Sequence, residues 1–197
     1  MTALYVITKI FTFPGAIIKA LFEQIMCRIY GSPVEDSRYM RTNEMCGHVE
    51  HELIDGPVKS YFFCFIPGLL NFLIGLFVSL FAVVNVDILG NYSGFISNSA
   101  ILNQVLPASL IANTDLVGTL DFILPLFFLW VSFSMFVNMA PLVEDVLSMK
   151  EQYSKLNPVL KVIFFPGYIG MRVGAKLEGM GLTFVIFAVI AFFMAIL

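Results

Sequence analysis

The sequence predicts an all-α integral membrane protein. It would have about four transmembrane helices, interfacial or re-entrant helices, and a small β-hairpin. Three observations carry this expectation. Of the 197 residues, 59% are hydrophobic and only 13% charged, with 21 Phe, where a soluble domain has roughly 45–50% apolar and about 25% charged residues. Long runs carry no charge. One segment between them is polar and loosely alternating.

This composition excludes a disordered chain, a coiled coil, a nucleic-acid binder relying on a basic face, and an ordinary cytosolic enzyme. The lipid bilayer is the expected partner, so the formal net charge of −3 says little. Each crossing needs about 20 apolar residues, which bounds the number of spans. The N-terminus lacks the pattern of a cleavable signal, because Lys9 and Lys19 interrupt its apolar stretch.

Four spans are expected, at residues 3–30, 61–86, 122–142 and 181–197. The second and third are charge-free, the fourth is short, and the first carries Lys9, Lys19, Glu23 and Arg28. Residues 158–172 contain Pro166-Gly167 within a short apolar stretch and read as an interfacial piece. The segment 87–121 holds no Lys or Arg, whereas Arg38, Arg41, Lys59, Lys150 and Lys155 lie in the other connections. The positive-inside rule therefore places 31–60 and 143–161 on the cytoplasmic side and 87–121 opposite, as short surface helices. Asn91-Tyr92-Ser93 matches a glycosylation acceptor, a match that chance also supplies.

Ionisable residues inside an apolar segment are costly and invite a functional reading. Lys19 and Glu23 stand one helical turn apart on one face. They are either an interfacial pair with Lys19 snorkelling, or they face the bundle interior near Asn138, Glu144 and Asp145.

The segment 34–56 reads as a polar hairpin. It holds Cys46, His48, Glu50 and His51, a spacing that could bind a metal. Strand alternation, however, points His48 and His51 to opposite faces, which favours an exposed edge strand. Cys27, Cys46 and Cys64 are too few and too scattered for a disulfide framework and read as small packing residues.

Taken in order, these pieces resemble a family of small intramembrane zinc metalloproteases related to the site-two proteases. Phe13-Pro14-Gly15 and the residues through Glu23, followed by Cys27-Arg28-Ile29-Tyr30-Gly31, are similar to the family helix in which F-P-G precedes H-E-x-x-H and C-R-L-x-G follows. The run Gly47, His48, Val49, Glu50, His51, Glu52 resembles its G-Y-V-x-H-E strand. Ser60-Tyr61 and residues 67–71 resemble the start of its second span, and Trp130–Met135 with Pro141–Asp145 its aspartate helix. Asn157-Pro158 and 166–172 also have counterparts, so the resemblance covers about residues 11–190.

The departures decide the expected chemistry. The positions of the two histidine ligands read Lys19 and Glu23, and that of the general base reads Ala20; only the aspartate remains, as Asp145. A hydrolytic zinc needs lone-pair ligands and a carboxylate beside its water. The resemblance thus implies a catalytically inactive, cofactor-free relative, with Lys19, Glu23 and Asp145 as an ion cluster where a metal stood. Its expected role is binding: 47–52 would accept another chain by strand addition, and the partners would be other membrane subunits, the chain serving as an accessory subunit. The alternative is an active zinc metalloprotease with rearranged ligands, such as His48 or His51 with Glu23 and Asp145. Transport ranks lowest, since no inverted repeat is visible.

Overall fold

The computed structural model describes residues 3–38, 48–98 and 114–196. These are mostly helical, with one two-stranded sheet. Helix α1 (Ala3–Phe11) meets α2 (Phe13–Tyr30) at an angle of 86°. The expected single span 3–30 is therefore two helices. The bend falls at Thr12, two residues before Pro14, whose missing N–H suits a helix start. Gly31, at φ +71°, ends α2 in the left-handed conformation, and Ser32 N–H donates back to the Cys27 carbonyl at 2.9 Å.

Strands β1 (Val34–Arg38) and β2 (His48–His51) pair antiparallel, with Ser37 opposite Val49 and an irregularity between Val34 and Asp36. The polar ribbon expected over 34–56 is thus formed, although residues beyond His51 leave the strand. Val49 points into the core and β2 packs on α2.

Helix α3 (Pro57–Asn98) runs past the expected end of its span at residue 86. The first twelve residues of the supposed outer segment, Asn91-Tyr92-Ser93 included, therefore continue this helix instead of forming short separate ones. Helix α4 (Thr114–Val137) begins before residue 122 and stops before 142, so the third expected span is shorter at its inner end. The chain then runs without helix from Asn138 to Leu142 before α5 (Val143–Tyr153).

The expected interfacial piece 158–172 is instead part of a 22-residue helix, α6 (Pro158–Gly179). Asn157 caps it by accepting from Val159 N–H, and Tyr168, Met171, Ala175 and Glu178 make an inward stripe at helical spacing. That stripe carries the helix through Pro166. Helix α7 (Leu182–Ile196) follows at 96° to α6.

Among the described residues, one helix is long and apolar enough to cross a membrane, over Pro57–Ala82, or up to three spans if each bent pair counts as one. Large apolar side chains such as Phe77, Val162 and Phe192 lie exposed on α3, α6 and α7. Close helix approach depends on glycine at two points. A Cβ on Gly15 would strike the backbone of Ser134, and one on Gly68 the carbonyl of Met139, so α2 and α3 lie directly against the α4 end.

Candidate functional site: a buried ion and amide network

Breaking a helix inside an apolar core leaves carbonyls that must find donors. The bend at Thr12 and the break at 138–142 both do this, and the buried polar side chains gather there. Ser134 Oγ donates to the Thr12 carbonyl at 2.7 Å and accepts from Gly15 N–H at 2.6 Å. Asn138 Nδ2 donates to the Thr12 carbonyl at 3.0 Å and the Ser134 carbonyl at 2.8 Å. Asn71 Nδ2 lies 2.9 Å from the Met135 carbonyl.

Two lysines complete this network. Lys19 is 1% exposed, and its ammonium donates to the Ala140 carbonyl, within the helix break. It stands 3.8 Å from Glu23 Oε1 and 3.8 Å from Glu178 Oε1. Lys9 Nζ lies 2.5 Å from both Asn138 Oδ1 and Glu178 Oε1. Two ammoniums therefore face two carboxylates, and the charges cancel. Lys19 does not snorkel, because α2 turns this face onto the α4–α5 break and α6.

Asp145 stands apart from that cluster. In the first turn of α5, where a carboxylate favours the helix dipole, its Oδ1 lies 3.5 Å from His51 Nε2. The expected Lys19–Glu23–Asp145 triad is thus two pairings: Lys19 joins Glu23 and Glu178, and Asp145 meets the hairpin. His51 Nδ1 is 2.7 Å from the Glu52 carbonyl, an acceptor only, so Nδ1 carries a proton. The ring packs edge-on against Phe63, with centroids 4.4 Å apart. Burial works against a charged ring. The hydrogen bonds to Asp145 and the Glu52 carbonyl, with the charges of Asp145 and Glu23, outweigh it, and the His51 pKa rises above its ordinary value.

Of the other expected site residues, Ala20 is fully buried and Val49 is core. Glu50 and His51 line a polar cavity of about 290 Å³ with Glu35, Glu144 and Asp145, and Glu52 is exposed. Gly47 and Cys46 lie outside the described residues, and the His48 side chain is likewise not described. Cys27 and Cys64 are buried free thiols.

Sequence reasoning missed Lys9 and Glu178 as site members. The signal was present: Glu178 is the sole acidic residue after residue 151, and a lone carboxylate among apolar segments requires a partner. Thr12 and Ser134 carried no such signal.

The donor set does not fit the zinc ion that the resemblance would bring. Among the described residues, no three His, Cys, Asp or Glu side chains converge as ligands, and an ammonium occupies the centre. No family model, no curated protein and no solved structure matches this chain.

Proposed function

We propose that the chain is a multi-pass, catalytically inactive relative of the intramembrane metalloproteases. It acts by holding another membrane subunit. The observation that carries this reading is the buried Lys19 ammonium bonded to the Ala140 carbonyl, at a position where a hydrolase would need imidazole. A fixed ammonium supplies positive charge and hydrogen-bond donors to the backbone without a Lewis acid or a proton acceptor. The fold is then maintained by side chains, and the polar ribbon β1–β2 offers strand edges to a partner. In this reading α3 and the paired helices α1–α2 and α6–α7 supply crossings, with α4 as the fourth and the basic connections on the cytoplasmic side.

The test uses a photoreactive residue at Leu53, which is exposed beside β2, with a second at Val162 on α6 as the lipid-facing control. In native membranes the reading expects a discrete protein adduct from position 53 and none from 162. A purified chain that cleaves membrane peptides, and loses this activity in Asp145→Ala, would overturn it in favour of the rearranged zinc protease.

A further inference from the structure

A cavity of about 320 Å³ opens between α1, the start of α5 and the end of α6. Its wall is mostly apolar, from Tyr5, Leu142, Val143, Leu147 and Ala175, and Glu178 also lines it. The size falls within the range of small-molecule sites. Val143 and Leu147 at its wall are largely exposed, so the mouth faces the surroundings of the apolar helices.

Glu178 makes this more than a dent. The residue is 4% exposed, and its Oε1 serves both lysines, yet its Oε2 is buried with no hydrogen-bond partner among the described residues. A buried carboxylate oxygen left unmatched is costly, and it calls for a donor. Charge selects the kind of donor. Lys9 and Lys19 already balance Glu23 and Glu178, and Glu144, the other carboxylate of the wall, is exposed and screened by solvent, so a further cation beside the buried Oε2 would be an excess charge. Neither lysine is part of the cavity wall, whereas Glu144 joins Glu178 there, so a phosphate would meet carboxylates alone. What remains is an uncharged hydroxyl on an apolar chain.

We propose that this cavity binds a neutral, hydroxyl-bearing acyl lipid, its chain against Val143 and Leu147 and its hydroxyl donating to Glu178 Oε2. The inference rests on the membrane residence in the proposed function and not on the protease resemblance. A carbonate wash separates the two. Release from membranes refutes the residence, while retention without specific labelling refutes only the lipid site.

The probe is a diacylglycerol with a photoreactive group in one acyl chain, added to the full chain in phosphatidylcholine nanodiscs. Labelled peptides should map to 141–147 and 175–179. Excess unlabelled diacylglycerol should lower this labelling at least about ten-fold, and so should Leu147→Trp, which fills the mouth from an exposed position. Phosphatidylglycerol and a long-chain alkylamine should not compete. Leu147→Phe provides a second, smaller filling variant should the Trp variant not fold. Labelling spread over the exposed faces of α3 and α7 without competition would overturn the proposal as bulk lipid contact. Equal displacement by phosphatidylglycerol or the amine, or undiminished labelling in a folded filling variant, would also overturn it.

Discussion

Replacing Lys19 by Met removes one ammonium while nearly keeping the side chain's volume. Each carboxylate stands 3.8 Å from Nζ, an attraction of about 4 kcal/mol at an effective dielectric constant of about 20. The hydrogen bond to the Ala140 carbonyl, made by a charged donor, is worth about 1.5–3 kcal/mol. Against these, the variant no longer has to desolvate an ammonium, which returns several kcal/mol. The expected net loss is about 3–5 kcal/mol, the usual cost of leaving one partner of a buried pair uncompensated. Unfolding in mixed micelles, followed by helical circular dichroism against SDS mole fraction, reads this directly. Adding Glu23→Gln to Lys19→Met should recover part of the loss, because it withdraws one of the stranded negative charges. A loss under about 1 kcal/mol, the range of a solvated surface pair, would refute the buried network.

Further outcomes follow from the same contacts. Asn138→Leu removes one of the two acceptors of Lys9 Nζ and one of the donors to the Thr12 carbonyl, and the loss of these buried hydrogen bonds should destabilise by about 2–4 kcal/mol in the same assay. Gly15→Ala would be mildly favourable in an open helix; here the Ser134 backbone occupies the space, so a loss of about 1–3 kcal/mol is expected. The His51–Asp145 contact predicts a pH dependence. The raised His51 pKa means that the native state favours the charged ring, so its contribution is fully present below about pH 6.5, the ordinary histidine value. It is lost as pH rises through the higher folded value. The stability difference between the unmodified chain and His51→Ala should therefore shrink on titration into the alkaline range. Asp145→Asn should flatten that dependence.

Much of the fold was legible because apolar helices announce themselves by composition. The charge-free run from Tyr61 gave α3, the apolar tail gave α7, and the polar texture of 34–53 gave the ribbon. What stayed hidden has a common physical origin. Helix ends inside apolar stretches depend on which tertiary donors receive the freed carbonyls, and no local pattern marks Ser134 or Asn138 as those donors for Thr12. Pro166 looked like a terminator in isolation, but the inward stripe Tyr168, Met171, Ala175, Glu178 carries α6 through it. The same limit applies to the site. The one-turn spacing of Lys19 and Glu23 foretold their pairing. The pairing of Lys19 with Glu178 and not Asp145 was not foretold, because it depends on how α6 returns to α2 across 159 residues of chain.

The most direct test of the ammonium-centred core is the metal content of the full chain, purified from membranes without chelators and measured by inductively coupled plasma mass spectrometry. Only trace zinc is expected, unchanged between the native sequence and Asp145→Ala. One tightly held zinc per chain, lost in Asp145→Ala, would contradict the account.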